Sequence, residues 1–189
     1  LIVVTCGRIV AIKKLLEFLN KQSDCDFEVV IVDDCDIKQH QYSEGFIPKF
    51  DLRFLYSGVY GYGLAYARNL GAYNAKGNVL VFLDDDCVPT KKYVASVKNT
   101  YRENTVVCGA RVDLDKFSSD ASMKVSAMYN LEQERAYSIK KVLSDNSGFA
   151  VENNMAISRD LFFELGMFSQ KFRLYGYIGQ EFLARLQFF

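Results

Sequence analysis

The sequence predicts an α/β domain built on a mostly parallel sheet with helices on both faces. Three observations predict it. Over roughly the first ninety residues, strand-like and helix-like patterns alternate, the order that builds a parallel sheet with right-handed crossovers. The strand segments are continuous apolar runs, as expected of a sheet covered on both sides. Two aspartate groups, Asp33-Asp34 and Asp84-Asp85-Asp86, each follow such a run, at the carboxyl edge where open α/β sheets bind ligands.

Taken in order, Leu1 to Val4 reads as a buried strand and Thr5-Cys6-Gly7-Arg8 as the turn after it. From Ala11 to Lys21, Ile12, Leu15, Leu16 and Leu19 recur at helical spacing between lysines. Glu28 to Val32 is a β-branched run ending at Asp33-Asp34, and Leu52 to Tyr56 is a third strand. A glycine-rich turn (Gly58, Gly61, Gly63) precedes a helix from about Leu64 to Ala75, and Val79 to Leu83 is a fully apolar fourth strand. The second half is less regular. Lys91 to Arg102 looks helical, Thr105 to Leu114 extended, and Ala121 to Val142 a long amphipathic helix. Gly148 to Ile157 reads as a strand, followed by a short helix from Arg159 to Leu165. No linker or repeat divides the chain, so one domain is expected over 1–189, with a regular first half, 1–90, and a less regular second half, 91–189.

Composition narrows the chemistry. The 189 residues carry 23 Lys+Arg against 23 Asp+Glu, without the clustered basic surplus that a nucleic-acid partner requires. Half the residues are hydrophobic, enough to fold, yet no run approaches the ~18 apolar residues of a membrane span. The five cysteines show no C-x-x-C spacing and read as free thiols of a reducing cytoplasm. His40 is the single histidine and lies in a polar loop, which argues against Ser-His or Cys-His catalysis. The chain opens in an apolar run without Met or signal peptide and closes on helix-like Glu181 to Phe189 without a cap. We therefore expect a segment of a longer protein, truncated at its C-terminus.

Three successive aspartates are electrostatically costly. Two carboxylates ~6 Å apart repel by about 3 kcal/mol at an effective dielectric of 20. A divalent cation relieves this, and Mg²⁺ or Mn²⁺ prefers carboxylate oxygens. If strand geometry continues, Asp84 and Asp86 face one side and Asp85 the other, and such a D-x-D pair can hold a metal shared with a diphosphate. A solvated acidic turn is the bland alternative, and it applies with more force to Asp33-Asp34.

With these residues in place, the chain resembles the family 2 glycosyltransferases of GT-A fold, whose sheet is Rossmann-like. The resemblance rests on an ordered series: Val3-Val4-Thr5, Phe27 to Asp34, Ala67-Arg68-Asn69-Leu70-Gly71-Ala72, Ala75 to Asp86 with Pro89 after it, Asn153 to Arg159, and Leu165 to Phe168. It implies a nucleotide-diphosphate sugar donor, most simply a UDP-sugar, and a divalent cation, Mn²⁺ or Mg²⁺. A carbohydrate or lipid-linked acceptor is implied as well, with a place in polysaccharide biosynthesis. Thr5, Asp33 and Asp34 would line the nucleotide pocket, and Arg68 would help hold the base or diphosphate. Asp84 would face the ribose, Asp86 would ligate the metal, and Asp85 has the least defined role. A cytoplasmic location follows, with peripheral attachment at the inner face of the membrane through segments beyond this chain.

The family's inverting members use a carboxylate near the start of a late helix to take the acceptor's proton. Here that stretch is Tyr175 to Arg185, with Gln180-Glu181 where the family usually has Glu-Asp. Glu181 is the candidate base; a helical pair with Arg185 is the alternative. Asn153 and Asn154 could meet sugar hydroxyls or simply start a strand, and Gln180 is a weak sugar contact. The turn Gly58 to Gly63 runs G-x-x-G-x-G, not G-x-G-x-x-G, so a flexible turn beside the donor is expected. The Tyr and Phe residues between Phe168 and Tyr177 default to core packing.

Two other readings stay open. Asp84-Asp85-Asp86-Cys87-Val88 fits the D-x-D-x-[TV] pattern of haloacid-dehalogenase-like phosphatases, although about eighty residues precede it where that motif ends a first strand. An inactive nucleotide-sugar-binding module is the other.

Overall fold

The computed structural model describes residues 1–36, 42–109, 135–138, 152–174 and 176–186. Seven strands form one sheet: β1 (Ile2–Thr5), β2 (Glu28–Asp33), β3 (Asp51–Tyr56), β4 (Val79–Asp84), β5 (Thr105–Cys108), β6 (Arg135–Ser138) and β7 (Asn154–Ser158). Five helices accompany them among the described residues: α1 (Ile9–Leu19), α2 (Leu64–Asn74), α3 (Tyr93–Thr100), α4 (Arg159–Glu164) and α5 (Ile178–Leu186).

The sheet order is β3-β2-β1-β4-β7-β5-β6. β1 to β4 are mutually parallel, β7 runs antiparallel to both β4 and β5, and β6 antiparallel to β5. Five of the seven strands (β1 to β5) therefore share one direction. After β3 the chain crosses back over β2 and β1 to lay down β4, so the order reverses between β1 and β4. A crevice opens at such a switch point, outside the carboxyl ends.

Side chains explain the layering. β2 and β4 are buried along almost their whole length, which is why they read as unbroken apolar runs. On one face Val3, Val29, Ile31, Val81 and Leu83 pack with Ile12, Leu15, Leu16 and Leu19 of α1 and with Tyr93, Val94 and Val97 of α3. On the other, Ile2, Leu80, Phe82, Met155 and Ile157 meet α2, α4 and α5 through Ala72, Phe162 and Phe182. Helices thus cover both faces.

The second half departs from expectation in one place. Residues 135–138, at the end of the predicted helix Ala121 to Val142, form edge strand β6 in register with β5 (Thr105↔Ser138, Cys108↔Arg135). The pairing gives these residues an external ladder that local helical periodicity does not reveal. The rest of that helix, Ala110 to Leu114, Gly148 to Val151 and His40 lie outside the described residues. No helix among the described residues is long and apolar enough to cross a membrane.

Candidate active site

The carboxyl edges of β2, β1 and β4 bring the candidate residues together. Thr5 closes β1 opposite Asp33 of β2, and the Thr5 carbonyl accepts the Asp34 N–H at 2.8 Å. The Thr5 hydroxyl donates to Asp85 Oδ2 at 2.7 Å, which ties the end of β1 to the turn after β4. Arg8 adds a second tie, Nη1 donating to Asp85 Oδ1 at 2.8 Å and to Asp86 Oδ2 at 3.3 Å. Strand geometry ends at Asp84, so the expected alternation stops there: Asp85 and Asp86 share Arg8, while Asp84 turns to Arg68. Asp85 is buried, whereas the Asp86 side chain keeps 52% of its surface exposed.

Arg68 is buried in the second turn of α2, with its guanidinium between two carboxylates. Nη2 donates to Asp84 Oδ1 at 3.0 Å and Nη1 to Glu152 Oε1 at 3.2 Å. The Arg68 Cζ lies 5.7 Å from the centroid of the Phe168 ring. Gly71 lets α2 come close enough, since a Cβ there would stand 2.5 Å from Ile2 Cγ2. Asn69 fixes the far side by donating to the Phe168 carbonyl and accepting its N–H.

On β2, Asp33 Oδ1 accepts the Tyr42 hydroxyl at 3.0 Å and the Cys35 N–H at 3.2 Å. Asp34 Oδ2 accepts the Gly63 N–H at 3.1 Å, and its buried Oδ1 has no hydrogen-bond partner. The glycine-rich turn is thereby explained. Gly61, at φ +77°, donates its N–H to Asp36, and Gly63 leaves the space that Asp34 fills. Burial pushes the carboxyls of Asp34, Asp84 and Asp85 above the ordinary aspartate value. Asp86 adds to this for Asp84, against the pull of Arg68.

The remaining candidates divide. The Asn153 carbonyl accepts the Asp84 N–H at 3.2 Å, placing Asn153 at the same edge with its buried Oδ1 unpartnered. Asn154 is buried within the sheet, its Oδ1 accepting the Tyr93 hydroxyl at 2.7 Å. Gln180 is exposed on α5. Glu181 places both oxygens on Arg185, at 2.6 and 2.9 Å, and Arg185 continues to the Met167 carbonyl. The start of α5 nonetheless reaches the cleft, because a Cβ at Gly179 would collide with the Glu152 carboxylate.

Sequence reading missed Arg8, Glu152 and Tyr42. Their contacts span 77, 84 and 9 positions respectively, and no local pattern announces the two long ones. Among the described residues, no three His, Cys, Asp or Glu side chains gather as a metal cage. A cleft of about 930 Å³ bordered by Leu1, Phe27, Val79 and Tyr101 opens at the opposite, amino edge, away from these carboxylates.

Comparison with known proteins identifies the fold and the family. An uncharacterized glycosyltransferase of Haemophilus influenzae is 36% identical over 86 residues, covering 46% of this chain and 28% of that protein. The crystal structure of S. aureus TarS 1-349 in complex with UDP-GlcNAc superposes with a TM-score of 0.70 at 20% identity, covering 98% of this chain and 52% of that one. A mannosyltransferase from Pyrobaculum calidifontis, in complex with GDP-Man and Mn²⁺, gives 0.65 at 18%, covering 98% and 50%. The chain spans about half, or less, of the length of these relatives. The likeness to the solved structures establishes the GT-A fold. The profile of "Glycosyl transferase family 2" matches residues 1–166, and the chain belongs to that family.

Proposed function

We propose that this chain is the donor-binding core of a metal-dependent, inverting glycosyltransferase of hexosyl or N-acetylhexosaminyl type. It would move a sugar from a nucleotide diphosphate, preferentially UDP, to a glycan, lipid-linked or other hydroxyl acceptor. The observation that carries the reading is the placement of Asp33 and Asp34 at the end of β2 and of Asp84, Asp85 and Asp86 at the end of β4, on either side of Thr5 on β1, at the switch point. The UDP-GlcNAc held by TarS and the GDP-Man and Mn²⁺ held by the Pyrobaculum enzyme support a nucleotide-sugar donor and a divalent cation. Family membership leaves the phosphatase pattern at Asp84 to Val88 as a short coincidence.

Each role follows from local chemistry. The unpartnered Oδ1 of Asp34 is a buried acceptor suited to a base N–H, and the Thr5 turn forms the neighbouring wall. Arg68, held between Asp84 and Glu152, would help hold the base or the diphosphate, and Asp84 would face the ribose. The donor set fits a hard cation. Asp86 is accessible, the carboxylates around it repel one another, and a diphosphate supplies the oxygens that the protein lacks. When bound, the cation stabilises the charge that develops on the departing nucleoside diphosphate. Glu181, paired with Arg185, is assigned as base; Gln180 and Asn153 would meet acceptor or sugar hydroxyls.

Calorimetry with UDP tests the reading. Binding should require Mn²⁺ or Mg²⁺, and Asp86→Ala should abolish the metal requirement together with most of the affinity. Metal-independent UDP binding indifferent to Asp86 would overturn the metal bridge. Glu181→Gln in the full-length protein should slow transfer by about 10²- to 10⁴-fold and leave UDP affinity unchanged. Glu152→Gln, acting through Arg68, should weaken UDP instead, and full turnover by the Glu181 variant would refute its role.

A further inference from the structure

Two cysteines that the proposed transferase chemistry does not use meet at the carboxyl edge of β1 and β2. Cys6 follows Thr5 in the turn after β1, and Cys35 follows Asp33-Asp34 in the turn after β2. They are 29 positions apart, without a motif to link them, yet their Sγ atoms lie 2.7 Å apart as free thiols. A sulfur–sulfur bond is roughly 2.05 Å long, so little displacement separates contact from bonding. Cys6 is exposed and Cys35 buried, the arrangement of an attackable thiol backed by a resolving one. The Cys35 N–H donates to Asp33 Oδ1, which fixes its turn, and the missing side chain at Gly7 leaves the sulfur room, since a Cβ there would stand 3.5 Å from it.

We propose that Cys6 and Cys35 are a reversible oxidation site for small hydroperoxides, closing a disulfide between the turns that follow β1 and β2. The Cys6 thiolate attacks the peroxide's terminal oxygen, the O–O bond breaks, and Cys6 becomes a sulfenic acid as the alcohol or water leaves. Cys35 then attacks the sulfenic sulfur, the S–O bond breaks, and water departs with the Cys35 proton. In sum, two thiols and one hydroperoxide give one disulfide, one alcohol or water, and one further water. Two electrons pass from the sulfurs to the peroxide, and a small dithiol reverses the change by exchange. Burial raises the pKa of the Cys35 thiol, with Cys6 and Asp33 adding to the effect, which leaves the first attack to Cys6. The bond joins the turn bearing Thr5 and Arg8 to the turn bearing Asp33 and Asp34.

The site lies beyond the transferase reading, and its test uses neither donor nor acceptor. The purified chain is treated with hydrogen peroxide, its remaining thiols are alkylated, and the digest is mapped by mass spectrometry. The expected result is a Cys6–Cys35 linked peptide, with Cys25, Cys87 and Cys108 alkylated, and loss of the link after dithiothreitol. The oxidised chain should melt several degrees above the reduced one, because the bridge restricts the unfolded chain. Cys6→Ser, at an exposed position that leaves the core intact, should remove both the link and the shift. Four outcomes would overturn the proposal: full alkylation of both cysteines after peroxide, Cys6 advancing to sulfinic acid without linkage, links to other cysteines, or a melting shift that persists in Cys6→Ser.

Discussion

At the scale of single residues, Asp34 opposes the fold that it equips. Burial raises its carboxyl above the usual aspartate value, against the Ser57 hydroxyl and the Gly63 N–H that favour the ionised form. The folded chain therefore holds this proton more tightly than the unfolded chain does. The associated stability is fully present below the unfolded value, roughly pH 4, and is lost as pH rises through the folded one. At pH 7 Asp34→Asn should raise the melting temperature, by about 2–4 °C for each kcal/mol recovered, and weaken UDP binding. Near pH 3 the two proteins should melt together. A variant that melts below its parent at pH 7 contradicts this account. The same residue shows how far the sequence was legible. Asp33-Asp34 and Asp84 to Asp86 stood out because they interrupt apolar runs, a one-dimensional signal. Arg8 and Glu152 did not, because an ion pair across 77 or 84 positions exists only once the sheet has assembled.

At the scale of elements, α2 sets the position of Arg68. It rests on β1 and β2 through Gly71, where an added Cβ would stand 2.5 Å from Ile2 Cγ2 and 3.3 Å from Val32. Gly71→Ala should cost about 1–3 kcal/mol by overpacking, partly offset by alanine's better helix propensity, about 1 kcal/mol. Urea unfolding should show a lowered midpoint, and the displaced helix should loosen UDP binding as well. A midpoint at or above that of the parent would mean that Ile2 yields freely. The helices α1 and α2 and the strands β2 and β4 were readable because each carries its own burial pattern. The strand at 135–138 was not, because its ladder comes from β5.

At the scale of the molecule, the family match and the folding unit do not coincide. The match ends at residue 166, yet Phe168 and Phe182 complete an aromatic cluster with Phe82 and Phe162, ring centroids 5.0 to 5.4 Å apart. All four are fully buried. A chain ending at Gly166 should lose its cooperative thermal transition and bind a hydrophobic dye. Phe182→Ala in the intact chain should cost about 3–5 kcal/mol by denaturant titration. A cooperative transition in the shortened chain would show that α5 is dispensable.

The reversal of direction at β7 has a consequence for how such a protein diversifies. In a wholly parallel sheet, the start of a strand lies at the edge away from the chemistry. Because β7 runs the other way, its first residues, with Glu152 and Asn153 just before them, arrive beside Asp84. Gly109, just past β5, is bonded to Asn154 at that edge as well. Gly109 and Glu152, the described residues on either side of positions 110–151, thus both stand at the carboxyl edge. An insertion between these two residues would begin and end at that edge, while β1 to β4 keep their register. On the function proposed above, that is where a new acceptor would be recruited without rebuilding the aspartate-bearing ends of β2 and β4.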